Sequence, residues 1–469
     1  MKKLLSVLLA GVAATALADI DRTKKPGPDP APAASFPDYR TETLPNGLKI
    51  FVIEDDRKPT VTLRLIIRSG SVAEGSKKGT ASFVAGLLNR GTERRDAAAF
   101  ALEMDSMGVK VEASGGEDAI SVAASGLTKY TDQILDLFAD AVLHPGFPAD
   151  QFAKLQRKTL SALEMEKQQP SSLAGKLAGK VIYGSFPYGD YLKPEDVASL
   201  QREDLVAFHH THFLPNNASL AIVGDVKTDA ILPLIQKAFG AWQKGEVPQL
   251  HLPEVPTQKG LTIHLVDKPG SVQSNIIVLS NAPPRNNPDL PELNVVNATL
   301  GGGFSGRLFQ NLREKHGWTY GSASNFDYKK LAGAFEATAE TRNEVTGPAV
   351  AEILKEITRM RDEPAKEEEI ALQRQYNVGN YLMSLENTSR TAQRVQDIDL
   401  YGLPPDFYKT YAHRMSVTTP AQVGELAKKY LTAENVAIVV VGEAKEIQPE
   451  LEKIGKVIVY DQELNPVKK

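Results

Sequence analysis

Cysteine is absent from the entire 469-residue chain. That absence excludes a disulfide scaffold, a thiolate metal site, a cysteine nucleophile and a lipidated cysteine anchor. An excess of charge of one sign is also lacking. Fifty-four basic residues stand against 58 acidic ones, a formal net charge of −4, so no nucleic-acid partner is expected. Long apolar runs are scarce: the stretch from Leu4 to Leu17 falls short of the ~20 residues that cross a bilayer, and no membrane anchor is expected. Recurrent catalytic signatures are missing too. The chain contains neither His-Glu-x-x-His nor His-x-x-Glu-His, no Gly-x-Ser-x-Gly elbow and no Walker phosphate loop.

What is present is an ordinary globular composition, 42% hydrophobic and 24% charged, enough for two to four domains of about 100–200 residues each. Lys2 and Lys3 precede the Leu4–Leu17 stretch, which ends in Ala16-Leu17-Ala18. A basic start, an apolar middle and a small-x-small end are the parts of a cleaved export signal over residues 1–18, and the expected destination is a bacterial periplasm. Residues 19–38, rich in proline, read as an extended leader.

The remainder repeats itself at an offset of a little over 210 residues. Gly47–Val52 (GLKIFV) is matched by Gly260–Leu265 (GLTIHL), and Asn217–Asp225 (NASLAIVGD) by Asn435–Glu443 (NVAIVVVGE). Each half opens on a β-branched strand and closes on an apolar strand ending in Val-Gly-acid, with helical periodicity between, as in Lys129–Leu143 and Val350–Met360. The pattern predicts an α+β unit over residues 39–243 and another over 260–469, joined by a proline-bearing linker at 244–259.

Eight histidines are available, and only His209, His210 and His212 are dense. Adjacent helical residues point about 100° apart, so His209 and His210 cannot easily share one ion; a surface helix end is the expectation. An autonomous peptidase with a displaced metal site around His209 and His212 is one remaining alternative.

Several blocks together carry a resemblance. Gly79–Thr92 (GTASFVAGLLNRGT) resembles the signature helix of the pitrilysin/insulinase-type peptidases, whose usual form is Gly-x-Ala-His-Phe-x-Glu-His-x-x-x-x-Gly-Thr. Leu44–Leu48 (LPNGL), Tyr183-Gly184 with Pro187–Gly189 (PYG), and Gly301–Leu308 (GGGFSGRL) running into Leu312-Arg313-Glu314-Lys315 and Tyr320 are similar to further blocks of that family. The resemblance implies two homologous α/β-sandwich domains in tandem, a clam-like α+β fold, and it accounts for the repeat.

The departures matter more than the matches. The family's two zinc-binding histidines fall on Ser82 and Gly86, its catalytic glutamate on Ala85, and its third ligand on Glu164. A hydroxyl is a poor zinc ligand, and glycine and alanine offer no donor, so no metal is expected here and Glu164 reads as a remnant. By the same resemblance Arg313 and Tyr320, seven residues apart, fall on a pair that reaches the zinc site, with Gly301, Gly302 and Gly303 letting backbone approach a substrate. Guanidinium fixes a carbonyl or carboxylate, and a phenol donates to a developing oxyanion. The resemblance therefore implies the non-catalytic subunit of a heterodimer, with zinc in a homologous partner and peptides as substrates. Peptides would add as a strand to an open sheet edge, with Val61–Ile67 and Ser274–Leu279 as expected sheet members. The alternative is a structural or peptide-binding protein of the same fold.

Overall fold

The structure is a computed structural model that describes residues 36–363 and 365–467. The expected export signal and the leader up to residue 35 lie outside the described residues. Of the leader, residues 36–38 are described, and Phe36 is buried against Tyr408, its ring centroid 5.5 Å away.

Two six-stranded sheets organise the chain. The first contains β1 (Arg40–Thr43), β2 (Lys49–Glu54), β3 (Thr60–Ile67), β4 (Lys110–Gly115), β5 (Ile120–Leu127) and β6 (Ala218–Gly224), in the order β1-β2-β6-β3-β5-β4. The second contains β7 (Thr262–Asp267), β8 (Gln273–Ala282), β9 (Ser322–Tyr328), β10 (Gly333–Arg342), β11 (Ala437–Gly442) and β12 (Lys456–Tyr460), in the order β12-β7-β11-β8-β10-β9. The inner order is the same in both. β2 runs parallel to β6 as β7 does to β11, and every other pairing in the shared set is antiparallel. The repeated sequence blocks are these parallel pairs. Only the outermost strand differs: β1 is a local antiparallel hairpin partner, whereas β12 comes from the chain's far end and lies parallel to β7. Residues 243–259, between the two sheets, form neither helix nor strand.

Val61–Ile67 and Ser274–Leu279 lie in β3 and β8, both interior strands. The edges of the first sheet are β1 and β4, and those of the second β12 and β9.

The helices that cover the sheets are not confined to their own half. Pro170–Tyr183 (here α3, following α1 at Thr80–Leu87 and α2 at Ala149–Glu166) packs on β8 and β11 of the second sheet. Its Leu173, Leu177 and Ile182 share one apolar cluster with Val266, Ile277, Leu279, Val439 and Val441. In return α4 (Thr388–Tyr401), from the second half, lies on β3 and β6 of the first sheet. That contact is largely polar. Thr62 meets Thr388 at 2.7 Å, Arg64 donates to Gln396 at 2.6 Å, and Gln396 Nε2 donates to the carbonyls of Arg64 (2.8 Å) and Ser219 (2.9 Å). Asp399 accepts from both Lys49, at 2.8 Å, and Arg68. Each half thus supplies a helix that the other half's sheet needs, and the described residues form one compact unit.

Candidate functional site

The stretch that resembles the peptidase signature forms α1, which starts after Gly79 at φ 91°, a left-handed conformation that costs a side chain but not glycine. No side chain at that position caps the helix. Instead the Glu74 carboxylate reaches back and accepts from Gly79 N (2.8 Å) and Ala81 N (2.6 Å), satisfying two donors that a helix start leaves open. Burial outweighs those two bonds and pushes the Glu74 carboxyl up from an ordinary 4.5 to about 7.

Along α1 the three chemically decisive positions are now structural. Ser82 is exposed, and its hydroxyl donates to Gly79 O at 2.8 Å. Ala85 is buried. At Gly86 a Cβ would sit 3.1 Å from Leu155 Cδ2 of α2, so an apolar side chain occupies the space into which a second ligand would project. From the other side β4 lies directly on the helix, where a Cβ at Gly115 would meet Ser82 Cα and N at 2.9 Å. Glu164, on α2, points to solvent and pairs with Lys167 at 3.2 Å. A hydroxyl committed to a carbonyl, two positions without donors and one solvated carboxylate do not fit zinc. Among the described residues no group of three or more histidine, aspartate or glutamate side chains could hold a metal ion.

The histidine cluster offers no substitute. His209 Nε2 lies 2.8 Å from the Val142 carbonyl, and burial pushes its pKa down to about 4. His212 is buried against Phe208, with ring centroids 4.4 Å apart. These are packed core and helix-end histidines.

Two cavities flank α1. One of about 640 Å³ is lined by Glu74, Lys78, Ser82, Asp190 and His251, with Lys78 paired to Asp190 at 2.8 Å. The other, of about 650 Å³, lies between the end of α1, β4 and α2.

In the second half, Gly301–Gly303 follow the Leu290–Leu300 helix. Gly301 O accepts from Ser324 N of β9 at 2.9 Å, and a Cβ on Gly301 would sit 2.6 Å from that nitrogen. A Cβ on Gly302 would lie 2.7 Å from Ala298 Cα, whereas Gly303 has nothing nearer than Tyr376 at 4.0 Å. Gly301 therefore lets the helix end close onto β9, and Gly302 lets the chain fold back on the helix's own last turn.

Arg313 lies on a π-helix, Gln310–Lys315, a wide turn that recurs at functional sites. Its guanidinium stacks over Phe309, 4.9 Å from the ring centre, and is 3.8 Å from Glu314. Arg307 Nη1, Asn311 Oδ1 and His316 Nε2, all in this same stretch, are buried with no hydrogen-bond partner among the described residues. Tyr320 is 89% exposed. The structure gives Arg313 and Tyr320 no bond to each other or to α1, and both face outward.

Two family models match the chain, one described as insulinase (peptidase family M16) over residues 49–182 and one as the peptidase M16 inactive domain over residues 199–377. The chain belongs to the M16 peptidase family and lacks its catalytic motif. An uncharacterized zinc protease from Rickettsia felis is 24% identical over 76% of this chain and 86% of its own length. The non-peptidase homolog YmxG from Helicobacter pylori is 20% identical over 86% of this chain and 94% of its own. A crystal structure of a peptidase M16 inactive domain from Pseudomonas fluorescens superposes with a TM-score of 0.81 at 25% identity, covering 86% of this chain and 98% of that one. The tandem two-sheet fold is thus the M16 fold.

Sequence reasoning missed Leu155 as the occupant of the vacated ligand position and Glu74 as the cap of α1. Leu155 has no local signal, since only the fold brings it to Gly86, whereas Glu74 lies five and seven residues before the amides it caps, an acidic residue just ahead of the helix start.

Proposed function

We propose that this M16 chain is the non-catalytic subunit of an exported zinc peptidase heterodimer, supplying Arg313 and Tyr320 to a homologous partner that holds the zinc and hydrolyses peptides. The carrying observation is an asymmetry between the halves. The motif positions of the first half carry no metal-donor set: Ser82 is spent on a backbone carbonyl, Ala85 is buried and Gly86 faces Leu155. The second half presents an exposed guanidinium held on an aromatic ring, with only the solvent-exposed Glu314 as ion partner, and a phenol open to solvent. Hydrogen-bond donors aimed at a developing oxyanion are effective even when another chain supplies the electrophile. The basic start, apolar stretch and Ala-Leu-Ala end of residues 1–18 support a periplasmic setting.

The test is purification of the tagged chain from its own periplasm, with masses assigned to every stoichiometric companion. A one-to-one partner carrying His-x-x-Glu-His is the expected result. The name of the Helicobacter pylori relative, non-peptidase homolog, favours a second reading, a peptide-binding or structural protein with no peptidase partner. Recovery of the chain alone, or with unrelated proteins only, would support that reading and overturn the first.

A further inference from the structure

We propose that the junction where the β4–β5 turn of the first half meets the β9–β10 turn of the second is a proton-operated clasp, held more firmly at mildly acid than at alkaline pH. The reading concerns this chain alone and holds with or without a zinc-bearing partner. The first turn brings Glu117 and Asp118, the second Lys329 and Lys330. Lys329 Nζ donates to Glu117 Oε1 at 2.5 Å and Oε2 at 2.6 Å, and lies 3.0 Å from Asp327 of its own hairpin. Asp118 accepts from Lys330 N at 2.9 Å and from the Tyr188 hydroxyl, which itself accepts from Leu331 N at 3.2 Å. The Lys329 ammonium is 5.7 Å from the ring centre of Tyr183, at the end of α3, and 5.3 Å from that of Tyr188.

The charges at this junction do not balance. Glu336 of β10 lies two residues beyond Ala334, the cross-strand partner of Asp327, so both carboxylates stand on one face of the β9–β10 pair. Glu117, Asp118, Asp327 and Glu336 thus gather around the single ammonium of Lys329. Lys330, the other cation here, gives its backbone amide and makes no ion pair with a described residue. The elements packed against the cluster add only phenols: Tyr183 and Tyr188 from the first half, and Tyr401 of α4 towards Asp118. Glu336 has no hydrogen bond or ion pair with a described residue, and the buried Tyr183 hydroxyl has no hydrogen-bond partner among them. Ionising an unpaired, half-buried carboxyl beside other carboxylates is costly, and a proton removes that cost. Burial holds the Glu336 carboxyl above its ordinary 4.5, and does the same at Glu117, where it outweighs Lys329. Opening the junction would hydrate both groups and return them to ordinary values. The closed junction therefore keeps protons that the open one releases, and closure weakens as pH rises from about 4.5 through the raised values. Glu117 also lines the cavity of about 640 Å³ beside Ser82, so loosening the clasp frees part of that cavity's wall.

Hydrogen exchange on the purified full chain, corrected for the intrinsic pH dependence of amide exchange, tests this at pH 5 and pH 8. The amides of Lys330 and Leu331 report closure directly, because their bonds cross the junction. Both are expected to be roughly threefold or more better protected at pH 5 than at pH 8. Glu336→Gln, neutral at every pH, should bring the protection at pH 8 up to the level at pH 5. The difference should persist in Glu74→Gln, which removes the other raised carboxyl beside the cavity. Carbon-13 titration of the Glu336 carboxyl in the unaltered chain, assigned by its loss in Glu336→Gln, should give a midpoint above 4.5. Equal protection at the two pH values, or better protection at pH 8, would overturn the proposal. So would a difference that survives Glu336→Gln, one spread evenly over both sheets, or a Glu336 midpoint at or below 4.5.

Discussion

Gly301 and Gly303 stand two residues apart in the same loop, yet only the first is held by close contact. A Cβ at Gly301 would be 2.6 Å from Ser324 N and 2.8 Å from Leu308 Cδ1, while one at Gly303 is in open contact range. Gly301→Ala is expected to destabilise the chain by about 1–3 kcal/mol, the range for forced overpacking, and Gly303→Ala by less than about 0.5 kcal/mol. Urea midpoints compare the two directly. Glu74 gives a second residue-scale test, with an uncommon sign. Its folded value of about 7 lies above its ordinary 4.5, so between those pH values the folded chain keeps a proton that the unfolded chain has lost. Its contribution to stability therefore falls as pH rises from about 4.5 to 7 and levels off above. Relative to the unaltered chain, Glu74→Gln should gain stability between pH 5 and pH 8 in urea titrations. A difference that does not change with pH would contradict the burial argument.

The elements carry their burden across the halves. α3 belongs to the first half by sequence but lies on the second sheet, with Leu177 fully buried among strand side chains. Leu177→Ala should cost about 2–5 kcal/mol, and hydrogen exchange should show the lost protection in β8 and β11 rather than in β3 or β5. This exchange also marks the limit of what the sequence reveals. The repeat, the strands that open and close each half and the tandem α+β class were legible, because Gly-Leu-x-Ile and Val-Gly-acid are local patterns, but their parallel pairing was not. Nor was helix exchange. Thr62 and Arg64 in β3 are covered by α4, which nothing local to the strand announces, and burial pulls the Arg64 guanidinium below its ordinary range. The apolar run at Ile276–Leu279 signals burial on both faces without naming the helix responsible. The loss of metal donors was legible in three residues.

At the scale of the whole molecule, the two halves interlock among the described residues; the second presents Arg313 and Tyr320 outward, and the described residues of the first hold no group that could bind a metal ion. The central claim is that another subunit does. The most direct measurement is the peptide-hydrolysis rate of the reconstituted pair carrying Tyr320→Phe in this chain, with assembly and zinc content measured alongside. The account expects kcat to fall roughly 10²–10³-fold, the cost of losing one donor at an oxyanion, with assembly and zinc unchanged. An unchanged rate, or zinc-dependent hydrolysis by this chain on its own, would contradict it.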